Sequence, residues 1–220
     1  MAKLYFRYGA MNSGKTTSLM QVAFNYEERG MDVIILKPSS DTKGDDVIVS
    51  RLGMKRKVDA LVSEHEDMRD IVNKFSKIKE ISCVLVDEAQ FLTGSQVNQL
   101  LRVAVLYDIP VICYGLRTDF SCNGFPGSIK LLLLAHSIEE LKTICRCGSK
   151  AIFNGRKRNG KFVFSGDQVA IDGEDEISYE SLCGKCYDEE MVSSVMSDKS
   201  DSNTPCQCED AELCDRLDCH

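Results

Sequence analysis

Glycine, four residues, then Gly-Lys-Thr: the stretch Gly9-Ala-Met-Asn-Ser-Gly-Lys-Thr16 constrains this chain more than any other. The pattern is that of a phosphate-binding loop, and its flanks agree. Leu4 to Tyr8 is a short apolar run of strand type, and Leu19, Met20, Val22, Ala23 and Phe24 recur beyond it at helical spacing, with Gly30 as a helix stop. Strand, glycine loop and helix aim backbone N–H groups and a helix N-terminus at a phosphate. In that reading Lys15 reaches the terminal phosphates and the Thr16 hydroxyl ligates Mg2+. A chance match in a turn is the competing account, and the flanking elements argue against it.

Elements of the same kind follow. Val33-Ile-Ile-Leu-Lys37 reads as a second buried strand, ended by Pro38. Residues 39–57 are polar and read as a surface loop. Within them, Asp41-Thr42-Lys43 follows a strand end, where ligands gather in open parallel sheets; a solvated turn is the alternative. A helix is expected over Glu64–Phe75. Cys83-Val-Leu-Val-Asp87-Glu88 is an apolar run closed by two carboxylates, the form of a Walker B strand whose first acid holds Mg2+. Helices at Gln96–Tyr107 and Ser128–Ala135 flank a strand at Pro110–Tyr114. The alternation predicts an α/β fold: a P-loop parallel sheet with helices on both faces.

From Leu141 the character changes. Cys145-x-Cys147 and Cys183-x-x-Cys186 bracket a Gly- and Arg-rich hairpin-like stretch at Gly155–Gly160, and two close thiol pairs suit a tetrahedral zinc site. Residues 160–179 read as a zinc-anchored loop able to fold over a ligand. The predicted domains are therefore 1–140 (nucleotide-binding α/β), 141–187 (small, ribbon-like, zinc-binding) and 188–220 (an acidic tail without fixed structure). That tail carries ten Asp/Glu against Lys199 and Arg216, a net of −8, leaving the body about +1 of the total −7. With no basic face on the body, a nucleic-acid partner is not expected. The tail's Cys206, Cys208, Cys214, Cys219 and His220 read as incidental thiols, with a second metal site as the alternative. The N-terminus has no charged-then-apolar leader and no run approaches the roughly 18 apolar residues of a membrane span. A soluble protein is expected, its eleven cysteines serving metal binding more than disulfides.

Assembled in order, Gly9–Thr16, Asp87-Glu-Ala-Gln-Phe-Leu92, Tyr114-Gly-Leu-Arg-Thr-Asp-Phe120, Leu141-Lys-Thr-Ile-Cys145 and Cys183-Gly-Lys-Cys-Tyr187 resemble the thymidine kinase family of the bacterial and cytosolic, zinc-containing type. The resemblance covers residues 1–187. It implies a cytoplasmic homotetramer that moves the γ-phosphate of ATP to the thymidine 5′-hydroxyl, subject to dTTP inhibition. It makes Glu88 the general base. ATP would be held by Gly9, Ala10, Met11, Asn12, Ser13, Gly14, Lys15, Thr16, Asp87, Glu88, Ala89 and Gln90. Nucleoside contacts would come from Met11, Phe91, Leu116, Phe120, Phe125, Val169, Ala170, Ile171, Asp172, Gly173 and Tyr179. Mg2+ accompanies ATP, and structural Zn2+ sits on Cys145, Cys147, Cys183 and Cys186. The family usually has Gly-Gly at Asp172-Gly173, and the run to Tyr179 looks about two residues longer here.

An NTP-hydrolysing switch or nucleic-acid motor would share the phosphate loop and Walker B strand. It would also want a basic surface or further helicase elements, which the near-neutral body does not supply.

Overall fold

A computed structural model describes residues 1–39, 46–168 and 176–201; the side chains of 197–201 are not considered. In chain order the elements are β1 (Leu4–Tyr8), α1 (Lys15–Glu27), β2 (Asp32–Pro38), β3 (Val47–Val49), β4 (Lys55–Lys57), β5 (Ala60–Val62), α2 (Met68–Ser76), β6 (Ile81–Val86), α3 (Gly94–Leu106), β7 (Val111–Gly115), α4 (Pro126–Leu134) and β8 (Ser137–Glu140). There follow β9 (Thr143–Ile144), β10 (Lys150–Ala151), β11 (Phe153–Arg158), β12 (Lys161–Val163), β13 (Ile177–Leu182) and α5 (Gly184–Asp201).

Six strands form a wholly parallel sheet in the order β5-β2-β6-β7-β1-β8. The central strands are almost unbroken apolar runs because helices cover both sides, so neither face can be polar. Against one face Leu4, Phe6, Ile34, Leu36, Val84 and Val86 pack with residues of α2, α3 and α4. Against the other, Val33, Ile35, Cys83 and Leu85 pack with Leu19, Met20 and Ala23 of α1. Phe24, in the apolar pattern of α1, faces out at 57% exposure.

Caps set the helix starts. Asp67 accepts from the Arg69 N–H at 2.8 Å, so α2 begins at Met68 rather than Glu64. Thr93 and Gln96 form a reciprocal capping box, which starts α3 two residues before the expected Gln96. Residues 46–57 correct the loop reading: β3 and β4 pair as an antiparallel hairpin, with Ile48 buried beneath it. Their alternation was obscured by the charges of Lys55, Arg56 and Lys57.

Beyond β8 the architecture changes to antiparallel pairs, β10-β9 and the three-stranded β12-β11-β13. Its core is small, with Cys145, Ala151, Leu182, Cys183, Cys186 and Tyr187 buried together. α5 runs past Tyr187 to Asp201, so residues 188–201 are helical where a chain without fixed structure was expected. The reason lies in its neighbours: Glu190 pairs with Arg146, and Met191 packs on the small core. Among the described residues no helix is long and apolar enough to cross a membrane.

Candidate active site

β1, β6 and β7 end at one rim of the parallel sheet, where an open α/β fold places its ligands. The loop after β1 turns tightly into α1. Gly14, at the helix N-cap, has φ 77° and supplies no side-chain cap, which leaves the first N–H groups of α1 free for an anion. Gly9 is there because space is short: a Cβ would lie 2.4 Å from Leu141 O and from Ser13 Oγ. Asn12 also takes positive φ, 66°. Ser13 Oγ is buried without a partner among the described residues, as suits a loop built to donate to a guest.

Lys15 meanwhile folds back on its own loop, donating to Gly9 O at 3.3 Å and Ala10 O at 2.9 Å. Burial lowers its pKa, and the charges of Glu88 and Asp87 oppose that shift. Thr16 Oγ1 donates to Asp87 Oδ2 at 3.3 Å. This joins the start of α1 to the end of β6 across 71 residues of sequence. Asp87 is buried; desolvation first, then the Glu88 charge, push its carboxyl well above the usual range. A hydroxyl and a carboxylate so placed are hard oxygen donors that fit Mg2+.

Glu88 takes the left-handed conformation, φ 49°, and opens the 3-10 turn Ala89–Phe91. Strain of that kind gathers at functional sites. Gln90, buried under the turn, donates from Nε2 to Glu88 Oε2 at 2.6 Å and accepts from the Leu116 N–H at 3.1 Å. One amide thus fixes the carboxylate and the strand end after β7. Gly115 makes room for it, since a Cβ there would lie 2.8 Å from Gln90 Oε1.

A cavity of about 1200 Å³ opens here, lined among others by Met11, Lys15, Thr16, Asp87, Glu88 and Leu116. Asn12 and Gly14 line it too. A second, of about 330 Å³, is lined by Gln90, Phe91, Phe125 and Gln168 with the end of β2. Phe91 and Phe125 meet edge to face with centroids 5.6 Å apart. Ala89 is buried beneath the turn and lines neither cavity. Phe120 is buried as well, under the guanidinium of Arg156, whose Cζ lies 3.4 Å from the ring centroid. Tyr179 sits on β13 opposite Arg156. Asp41, Thr42 and Lys43 lie outside the described residues, as do Val169, Ala170, Ile171, Asp172 and Gly173.

Three residues here escaped the sequence reading. Asn154, on β11, accepts from the Met11 N–H at 2.7 Å and donates to Thr118 O at 3.0 Å. Ser181, on β13, donates to Met11 O. Arg156 donates to the carbonyls of Asp167 and Gln168. A lone Asn, Ser or Arg in a polar stretch carries no signal, because its partners are distant in sequence; Met11 and Asn154 are 143 residues apart.

The thiols of Cys145, Cys147, Cys183 and Cys186 all lie within 4.8 Å of one another, with Cys147 and Cys183 sulfurs 3.5 Å apart. Four sulfurs around one ion at about 2.3 Å would be spaced comparably, and such a set could bind zinc. The tail cysteines 206–219 lie outside the described residues.

The family model "Thymidine kinase" matches residues 2–187. The thymidine kinase of Shewanella oneidensis is 47% identical over 192 residues, 86% of this chain and 98% of that protein. That of Enterobacteria phage T4 is 46% identical over 86% of this chain and 97% of its own length. The Rhodopirellula baltica enzyme, 43% identical, covers 95% of this chain along its whole length. With a family model spanning most of its length and relatives of this identity end to end, the chain belongs to the thymidine kinase family.

Proposed function

We propose that this chain transfers the γ-phosphate of ATP to the 5′-hydroxyl of thymidine, giving dTMP. One observation carries the reading: Glu88, pinned by Gln90, faces the same cavity as Lys15, Thr16 and Asp87, in a chain whose relatives are thymidine kinases. The thymidine 5′-oxygen attacks the γ-phosphorus, forming the new P–O bond. The bond from that phosphorus to the β-phosphate oxygen breaks, and ADP leaves. The hydroxyl proton passes to Glu88, the general base. A primary alcohol is a poor acid, so the acceptor must be in place when the bond forms.

Gly9 to Thr16 would hold the phosphates, with Lys15 leaving its two carbonyls for the guest. Mg2+, held by Thr16 and Asp87, would supply charge neutralisation on the phosphates. Phe91 and Phe125 would flank the thymine at the smaller cavity, with Met11 and Leu116 on the side of the larger one. Phe120 would act from beneath, and Val169 to Gly173 with Tyr179 would clasp the nucleoside. The division at 140 is supported by the change from parallel to antiparallel sheet, and the small unit is extended past 187 along α5 as far as Asp201. We extend the reading to one structural zinc on the four thiols and to a cytoplasmic homotetramer inhibited by dTTP. Exposed Ile129 and Leu133 on α4 support subunit contact.

The test is a panel of nucleosides with ATP, read as monophosphate formed. Thymidine should exceed deoxycytidine by roughly tenfold or more, since an unpaired buried polar group costs about 1–3 kcal/mol. Equal phosphorylation of the two, or ATP turnover without any nucleoside, would overturn the reading.

A further inference from the structure

The larger cavity has a second wall that the phosphate loop does not supply. Val47, Ile48, Val49, Arg51 and Leu52, all from the β3–β4 hairpin, line it together with Lys15 and Thr16. The base of this hairpin is fixed. Arg56 of β4 donates to Glu27 Oε2 of α1 at 2.9 Å, and Ile48 is buried. The turn is tight: Ser50 N–H donates to Met54 O at 2.8 Å, and Gly53 takes φ 83°. The tip therefore borders the cavity on a braced stem, with Leu52 76% exposed.

Charge completes the picture. The cavity is lined by three cations, Lys15, Lys37 and Arg51, and two carboxylates, Asp87 and Glu88. Lys15 is bound back on its loop, and Lys37 is buried and engaged. Arg51 makes no hydrogen bond or ion pair among the described residues. Arginines at hairpin tips commonly serve only solubility. This one lines the same cavity as the phosphate loop and its lysine, and a bound polyphosphate there would attract both cations.

We propose that Arg51 is a second phosphate-binding cation, which contacts the γ-phosphoryl group of ATP from the hairpin wall of the cavity and stabilises it during transfer. As the bond to the β-phosphate breaks and the 5′-oxygen bonds to phosphorus, charge shifts among the phosphoryl oxygens. A planar guanidinium can hold two of those oxygens at once. Because it addresses the phosphate being transferred, Arg51 acts on turnover more than on ADP. The inference rests on the ATP reading of Gly9–Thr16.

The experiment compares Arg51→Ala and Arg51→Lys with wild type in kcat, KM for each substrate, ADP affinity by calorimetry, and melting temperature. Arg51→Ala should lose about 10²-fold or more in kcat, toward the range of arginines acting on phosphoryl transfer, with ADP affinity within about threefold. Arg51→Lys, keeping charge without the fork, should recover part of the loss. A kcat within threefold of wild type overturns the proposal. So does an ADP affinity that falls as far as kcat/KM, which would make Arg51 a ground-state ligand. Should Arg51→Ala also lower the melting temperature, Arg51→Lys decides: full activity with the fold intact overturns the fork, and a reduced kcat supports it. Lys15→Ala is the separate control. If it binds ADP as wild type does, the ATP reading fails; if it does not while Arg51→Ala turns over normally, only the Arg51 assignment fails.

Discussion

The rim of the parallel sheet and the small antiparallel unit hold their shapes by different means. At the rim a thick apolar core lies directly beneath the chemistry. That core tolerates a buried carboxylate at Asp87, a left-handed Glu88 and an orphaned Ser13 hydroxyl. The small unit buries few residues, and small cores usually need staples. Its ties are four thiols and a few long-range hydrogen bonds: Tyr187 to Phe120 O at 2.6 Å, and those of Asn154 and Ser181 to Met11. The lesson is one of placement. Strain and charge sit where burial is plentiful, while the thin unit depends on specific bonds that also grip the phosphate loop.

That contrast can be broken from either side. The largest expected effect is Lys15→Ala, which should abolish phosphorylation with the melting temperature within about 2 °C, since the lysine's hydrogen bonds among the described residues go to loop carbonyls; at about 2–4 °C per kcal/mol, a larger drop would place it in the core's support. Next, Glu88→Gln should lower kcat by roughly 10²–10⁴-fold with ADP binding retained; near wild-type turnover would exclude it as the base. In the small unit, metal analysis of residues 1–201 should find one zinc per chain, and Cys183→Ser should abolish it and expose β11 and β13 to amide exchange, leaving β2 and β6 protected. Full zinc retention would rule out this ligand set.

Smaller effects sharpen the comparison. Asp87→Asn should raise the melting temperature of the ligand-free protein by a few degrees at neutral pH while eliminating turnover. The sign follows from linkage. An acid whose folded pKa is raised contributes stability below its unfolded pKa and loses it as pH rises through the folded one. Removing the charge removes that loss, and a variant less stable at pH 8 than wild type would contradict it. Smallest, Tyr187→Phe should cost about 1 kcal/mol, some 2–4 °C at this size, with KM for ATP unchanged; no shift in melting would show that the bond to Phe120 O contributes nothing net.

What could be read from sequence was local. The phosphate loop, Asp87-Glu88 and the thiol pairs each declare their chemistry within a few residues, and burial on both faces made β2, β6 and β7 plain. Asn154, Arg156 and the hairpin could not be read that way, since their meaning comes from partners far along the chain. α5 misled for a related reason. Serines and acids suggested a solvated tail, yet Glu190 finds Arg146 and Met191 finds the small core. A chain cut after Glu190 therefore severs α5.

Lys15 already has two acceptors before any nucleotide arrives. If Lys15 holds the phosphates as proposed, nucleotide entry would be an exchange of ligands on one ammonium group, and departure the same exchange in reverse. The carbonyls of Gly9 and Ala10 would then act as resident competitors, placed to recapture the amine as ADP leaves. Such an exchange would weaken the hold on product and favour its release.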